Sequence, residues 1–386
     1  MQISVVHPDD LGPGEIATWH SLQARTDALA NPFLSPEFTV AVGRLRPDAR
    51  VAVLNDGPAT IGFFPFERRK LGVGVPIAAG LTDCQGLVHA PGADWDPRML
   101  LRACGISVWQ FDHLAAGQKP FQPYQAAILP SPVIDLANGF DAYCADLRSS
   151  SPRFGKDVAR KARKLARDAG EVRLVADSRD VGALHSLMAW KSDQYRRTGR
   201  ADRFARPWIV ALLESLLDTR SDNFSGLLSV LYAGDAPVAA HFGVRSQRVL
   251  AYWFPSYDTS YAAYSPGLIH NLRIVESAAA AGIELIDLGK GTKRYKETMK
   301  NRDIFVAEGL VTRRSPLAAA HWARGASAAW AIRQIRSHPP LFNACDTVFR
   351  RYGEIRSSLS GPRPIRSLAG GLRAKQESRE HVMSPP

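Results

Sequence analysis

"YSPGLIHNLRIVESAAAAGIELIDLGKGTKRYKETMK" (residues 264–300) is the stretch from which the rest of the chain can be organised. Ser265 is a favoured helix cap and Pro266 a favoured first helical residue, and Leu268, Leu272, Val275 and Ala279 then recur at helical spacing. Such a helix lays one apolar face on a sheet. The apolar run "IELIDL" follows, read as a strand over 283–288, and leads into Gly289, Lys290, Gly291, Lys293, Arg294, Tyr295 and Lys296. The helix starts just after a strand ending in "YWFPSYD". Its N–H groups therefore point out at a strand end, where the dipole stabilises an anion such as a pyrophosphate, and Gly267 leaves room for a ligand against the backbone. At the far end, Tyr295 can give a proton to a departing thiolate and the lysines can meet phosphates. The plain alternatives are a helix start that binds only water and a solvated lysine-rich turn.

Upstream, "VLNDGPATIGFFPFER" (residues 53–68) and "VLYAGDAPVAAHFGVR" (residues 230–245) repeat one pattern without gaps, each reading as strand, glycine turn, strand. Their spacing fits a chain built from two similar halves. Between them, "SSSPRFGKDVARKARKLARDAGEVRL" reads as a helix capped by Ser151 and Pro152, ended by Gly170 and crowded with Lys156, Arg160, Lys161, Arg163, Lys164 and Arg167. It is either a solvated basic helix or a guide for an anionic substrate. Helices are expected over 180–197, 207–219, 266–281 and 292–300. Strands are expected over 226–232, 237–245, 248–255, 283–288 and 304–312, giving an α/β fold with a mostly antiparallel meander.

At 386 residues and 45% hydrophobic content the chain has the length of two globular domains and a tail. No apolar run is long enough to span a bilayer, and the opening "MQISVVHPDDLGPGE" lacks a basic and apolar leader, so a cytoplasmic location is expected. Cys84, Cys104, Cys144 and Cys345 are scattered, which suggests neither a disulfide framework nor a zinc ribbon, and no metal is expected. The net charge of +12 is uneven: residues 313–386 carry 13 Lys+Arg and 4 Asp+Glu, a net of +9, and the body is close to neutral. A DNA-binding role is not expected, because such proteins carry their positive stripe on the folded domain. Within the tail, Leu341, Cys345, Val348, Phe349, Tyr352, Ile355 and Leu359 share one helical face. That face either packs on the body or rests on an anionic membrane surface, with a flexible stretch after about 361.

The segments "NPFLSPEF" (31–38), "LTDCQGL" (81–87), "WKSDQYRRTG" (190–199), "YSPGL" (264–268) and "DLGKGTKRYK" (287–296) are together similar to the CelD/BcsL-like branch of the GNAT acyltransferases, over roughly residues 30–312. That branch is linked to cellulose and other exopolysaccharide synthesis and has two GNAT-like halves, as in the FemAB-type transferases. The resemblance implies an N-terminal GNAT-like domain at 1–150, a C-terminal one at 151–312 carrying the donor site, and the basic tail at 313–386. It implies acyl transfer from an acyl-coenzyme A, with acetyl-coenzyme A as donor, to an amino sugar of a surface polysaccharide or its precursor. The amine would attack the thioester directly.

On this resemblance Ser265, Gly267 and Leu268 face the pyrophosphate with Lys290 and Lys293 nearby, and Tyr295 is the acid. His241 and Asp258 are the candidate bases, although a strand histidine is commonly a packing residue and Asp258 can simply cap a turn. Asp83, Gln85, Lys191, Gln194, Tyr195 and Asp287 would line an acceptor groove between the halves. Two other readings stay open. The first is a FemAB-like transferase using aminoacyl-tRNA. The second is a non-catalytic effector that binds an anionic nucleotide regulator or a membrane-bound synthase.

Overall fold

The computed structural model describes residues 1–313, so the apolar face expected over 341–359 lies outside the described residues. The first half runs β1 (Gln2–Val6), α1 (Pro13–Ala24), α2 (Pro36–Leu45), β2 (Ala49–Asp56), β3 (Ala59–Arg68), β4 (Val73–Pro76), the short β5 (Val88–His89), α3 (Pro97–Ala103), β6 (Val108–Ala115) and β7 (Gln125–Asp135). Then α4 (Gly139–Ser150) and α5 (Phe154–Ala169) lead to β8 (Val172–Ser178), α6 (Val181–Arg197), α7 (Pro207–Asp218), β9 (Ser225–Ala233), β10 (Ala236–Arg245), β11 (Val249–Tyr257), α8 (Pro266–Ala280), β12 (Leu285–Asp287), α9 (Arg294–Met299) and β13 (Arg302–Thr312). The expected second-half elements are all present. Strand, two helices, hairpin, strand, helix, strand, strand occurs twice, so the chain is a tandem repeat of one α/β unit.

The repeated sequence pattern is the repeated hairpin. Asp56 pairs with Ala59 and Ala233 with Ala236, leaving two-residue turns that open on Gly57 and Gly234, both at φ +57°. A side chain is disfavoured in that left-handed region, so glycine is the residue that closes both turns.

All named strands join one 13-stranded sheet in the order β1-β2-β3-β4-β6-β13-β7-β12-β11-β10-β9-β8, with β5 on β3. The order is the same read from either end once repeat-equivalent strands are matched. At its centre the halves exchange their last strands: β13 lies between β6 and β7, and β7 between β13 and β12. The boundary expected at residue 150 therefore does not separate the halves in space. β7 and α4, which precede it, complete the second half, and β13 completes the first. All pairings between these strands are antiparallel except β4 with β6 and β11 with β12, one parallel pair per half.

Apolar burial follows from this arrangement. The run "GFFPFE" of β3 sends Phe63 to one face and Phe64 and Phe66 to the other, all fully buried, because the central sheet is covered on both sides. On one face a cluster joins Trp19, Phe33 and Phe38 of the first half to Leu184, Leu213, Phe242 and Trp253 of the second. On the other, Phe64, Trp109 and Phe121 pack with Ala307 and Val311 of β13. The α8 face is rotated from the one expected: Ile269, Ile274, Val275 and Ala278 are buried, and Leu268, Leu272 and Ala279 are half-buried against flanking helices. Because α4 and α5 both pack on α8, it is covered over a wider arc than a helix lying on a sheet alone. Helix α5 starts at Phe154 with no side-chain cap, so Ser151 does not play the capping part read from its sequence.

The exchange is tight at Gly309, where a Cβ would lie 2.1 Å from the Tyr124 carbonyl oxygen and 2.6 Å from the Phe111 ring. Gly309→Val is expected to lower stability by about 1–3 kcal/mol through overpacking, read by denaturant unfolding. A loss below about 0.5 kcal/mol would mean that the exchanged strand yields without cost.

Candidate active site

Strands β11 and β12 pair only through Val249–Leu285, Leu250–Ile286 and Ala251–Asp287. Beyond Ala251, β11 continues to Tyr257 while the other chain turns away at Gly289, φ +72°. Into this parting opens a cavity of about 1000 Å³. Its walls are Tyr252, Trp253, Phe254 and Pro255 of β11, Leu288, Lys293, Tyr295 and Lys296 from the β12–α9 segment, Lys191, Gln194 and Tyr195 of α6, Arg200, Arg203 and Arg206 of the α6–α7 connection, and Leu81 and Asp83 from the first half. The two halves thus share one pocket, stitched where Trp253 Nε1 donates to Leu81 O at 2.8 Å.

Six residues anticipated from sequence meet here: Asp83, Lys191, Gln194, Tyr195, Lys293 and Tyr295. Lys191 is buried and its Nζ donates to Pro255 O at 2.7 Å, satisfying a carbonyl on the edge that β12 leaves unpaired. Burial, followed by the charges of Lys293, Arg200, Arg203 and Lys296, brings the Lys191 ammonium down to about 7. Near neutral pH it can therefore give up its proton. Burial, then the Asp83 charge, pushes the Tyr295 hydroxyl well up, so it stays protonated and able to donate. Lys296 is fixed by donating to Gly289 O at 2.8 Å and Lys290 O at 3.3 Å, and burial lowers its ammonium below the usual range.

The other candidates lie elsewhere. Asp258 caps a short 3-10 helix, Thr259–Tyr264, accepting from the N–H and hydroxyl of Ser260 at 2.8 and 2.7 Å, and does not line the cavity. His241 sits in the core, stacked on Tyr252 at 3.8 Å between ring centroids, and burial then His270 depress it well below its ordinary value. It holds the back of a cavity residue and is not among those that face the cavity.

Ser265 lies at φ +52°, and its hydroxyl accepts from Lys161 Nζ at 2.6 Å instead of capping α8. Its N–H donates to Ala262 O, and that of Leu268 to Ser265 O. Of the three donors expected to face a pyrophosphate, only the Gly267 N–H has no acceptor among the described residues, and none of the three residues lines the cavity. Lys290 donates to Asp112 O at 2.9 Å and pairs with Glu308, tying the halves together outside the pocket.

Asp287 and Gln85 are buried supports. Asp287 accepts from Asn31 Nδ2 and Gly289 N–H, both at 2.9 Å. Gln85 accepts the Asp112 and His113 N–H groups at 3.0 Å and donates to Asp112 Oδ1 at 2.7 Å. Sequence reading missed Arg200, Arg203 and Arg206, although "RRTGRADRFAR" (196–206), an arginine run between two apolar helices, marked the place. It also missed His113, which becomes visible only when the sheet brings β6 beside the 81–87 loop. Among the described residues, no cluster of His, Cys, Asp or Glu could hold a metal ion.

The site is cationic: Arg196, Arg200, Arg203, Arg206, Lys293 and Lys296 face Asp83 and Asp202. Arg200, Arg203, Arg206 and Lys293 form no ion pair among the described residues. Such a pocket favours a ligand carrying negative charge.

Burial, followed by the nearby Asp83 charge, raises the Asp287 carboxyl from 3.8 to about 6. The folded state then binds that proton more tightly than the unfolded chain, so the contribution to stability is present below the ordinary value and is lost as pH rises through about 6. The unfolding free energy of the wild type relative to Asp287→Asn is expected to fall by about 1–3 kcal/mol between about pH 4 and pH 7. A flat difference would mean that the carboxyl ionises as freely as in water.

Compared with known proteins, residues 152–297 match the family model described as an acetyltransferase (GNAT) domain. No curated protein matched the chain in sequence. Among solved structures it is similar to the C-terminal domain (DUF2156) of a putative lysylphosphatidylglycerol synthetase from Agrobacterium fabrum, at 12% identity over 80% of this chain and 96% of that one, TM-score 0.49. It is also similar to a tandem GNAT protein from the clavulanic acid biosynthesis pathway, at 10% identity over 81% and 98%, TM-score 0.46. A third is FemX, at 10% identity over 80% and 96%, TM-score 0.49. Residues 152–297, which hold the parted strands and most of the pocket wall, are thus the part of the chain that is similar to an acetyltransferase (GNAT) domain.

Proposed function

We propose that the protein transfers an acyl group, in the first instance acetyl, from acyl-coenzyme A to the amine of an amino sugar destined for a surface polysaccharide, as in the CelD/BcsL-like branch it resembles. The observation that carries this reading is the shared cavity, where a hydroxyl that stays protonated and groups able to accept a proton face one another across the parted strands. Direct transfer needs the amine to lose a proton, its nitrogen to reach the thioester carbon, and the leaving thiolate to gain a proton. Tyr295 supplies the last. Either Lys191 or Asp83 can take the first. The unpaired cations suit the phosphates of the donor or acidic groups on the acceptor.

One observation favours a second donor, an aminoacyl-tRNA. The Ser265 and Leu268 N–H groups are already occupied, and Lys161 of the basic α5 stands beside them. Phosphates at α8 would then meet lysine side chains more than a backbone cradle. The chemistry at the amine is the same.

The test is incubation of the purified chain with acetyl-coenzyme A and a panel of free, phosphorylated and oligomeric glucosamine acceptors, read by mass spectrometry. An acetylated acceptor is the expected product, and Tyr295→Phe is expected to lower turnover by about 100-fold with the thermal midpoint retained. Absence of product with acetyl-coenzyme A, together with transfer from charged tRNA, would move the assignment to the second donor. Unchanged turnover in the phenylalanine variant would remove the acid role from Tyr295.

A further inference from the structure

Asp83 is the one cavity carboxylate with no hydrogen-bond donor among the described residues, since Asp202 accepts from Ser192 Oγ and Phe204 N–H at 3.1 and 3.0 Å. It is a third exposed, toward the pocket, and the imidazole of His113 stands beside it, with Nε2 3.7 Å from Oδ1, too far for a hydrogen bond. It also abuts the turn at Gly289, where an added Cβ would come within 2.6 Å of Asp83 Oδ2, so only a glycine there leaves the carboxylate its place.

The first half goes to some length to hold it there. Gln85 N–H donates to His113 O and Ala115 N–H to Gln85 O, pinning the loop to β6, and the Gln85 side chain grips the Asp112 and His113 N–H groups. The other side of His113 faces Asp112, Nδ1 to Oδ1 at 3.1 Å. A carboxylate on a loop pinned by so many bonds, in a pocket of cations, with none of its own lone pairs engaged, awaits a donor from outside.

We propose that Asp83, contributed by the non-donor half, binds the acceptor's ammonium group and takes its proton, with His113 beside it as a positioning residue. The inference rests on the acyl-transfer reading and names the residue that recognises the amine. In the step, an N–H bond of the ammonium breaks and its proton passes to Asp83. The freed lone pair forms the C–N bond to the thioester carbon as the C–S bond breaks. The thiolate takes the Tyr295 proton, and the second proton released by nitrogen restores the tyrosine, so one proton leaves for solvent through Asp83.

Charged and titratable groups face Asp83 from every side: Cys84 in its own loop, His113 and Asp112 on β6, Tyr195 on α6, Asp287 on β12, Tyr295 and Lys296 on α9, and Arg203 of the α6–α7 connection. Burial raises the Asp83 carboxyl, and His113, Lys296 and Arg203 pull it back. A base must be ionised, so activity falls as pH drops through its titration.

The test uses the full chain, acetyl-coenzyme A and whichever glucosamine acceptor of the panel turns over best. Asp83→Asn, close in shape, is expected to lower kcat/KM for the acceptor about 100-fold, leave the KM for acetyl-coenzyme A within about twofold, and abolish the acidic limb of the pH profile. Asp83→Ala is expected to regain activity when formate is added, which a purely structural role would not allow. His113→Asn should shift the acidic limb with a smaller loss in kcat. If Asp83→Asn keeps turnover within threefold, or if Lys191→Met and not Asp83→Asn removes the acidic limb, Asp83 is not the base and the acyl-transfer reading stands. If the wild type acylates no amine from either donor, both fall.

Discussion

Everything at the site depends on the exchange of β7 and β13 at the middle of the sheet. Each strand pairs with its exchanged partner and with the other half's last inner strand. Neither half can close its sheet without the other, so their relative position is fixed by backbone hydrogen bonds and not only by side-chain packing. The apolar cluster running from Trp19 to Trp253 adds a second lock on one face. A carboxylate delivered from residue 83 to a pocket built by residues 191–296 is useful only if that distance does not drift, and effective alignment of reacting groups tolerates little error.

Within the pocket, the same low exposure acts in opposite directions on acids and bases. It pushes Tyr295 up and Lys191 down, which leaves a protonated hydroxyl and a group close to neutral at ordinary pH. The two are held apart from each other by being on different elements, α9 and α6, on either side of the parted strands. The buried histidines do not compete for the role. His241 and His270, joined through Ser229, are both held below their ordinary range by burial and serve to seat Tyr252, whose hydroxyl donates to Asn271 Oδ1. They form a polar seam beneath the cavity wall.

Much of the second half was legible because its signals are local. Pro266 opens α8, Pro207 opens α7, and Gly57 and Gly234 close the repeated hairpins at the positions their pattern implied. The pocket residues on α6 and α9 were legible too, since "WKSDQY" and "GTKRY" carry polar groups on otherwise well-made elements. What was not legible depends on pairings distant in sequence. That Gln85 is a buried clamp follows from its bridge to Leu114, and that Asp287 is a buried support follows from Asn31, 256 positions away. Ser265 has the composition of a cap. A lysine from α5 claims its hydroxyl, a fact of packing that no window around residue 265 contains.

The repeat also explains why one half carries the pocket and the other supplies a tool to it. In the second half the parallel strands β11 and β12 separate and the gap stays open. In the first half the equivalent β4 and β6 pair only through Val73–Val108 and Gly74–Trp109. There the chain returns: Gln85 bridges to Leu114 and continues the line that β4 abandoned. Beneath it Phe64, Trp95, Trp109, Phe111 and Phe121 fill the space, and Asp96 caps α3 through the Met99 N–H, placing a negative charge where a phosphate would be repelled. The loop that closes this gap is the loop that carries Asp83. Filling one half's site and equipping the other's are thus the same structural event, and the division of labour between two copies of one unit follows from which pair of strands was left apart.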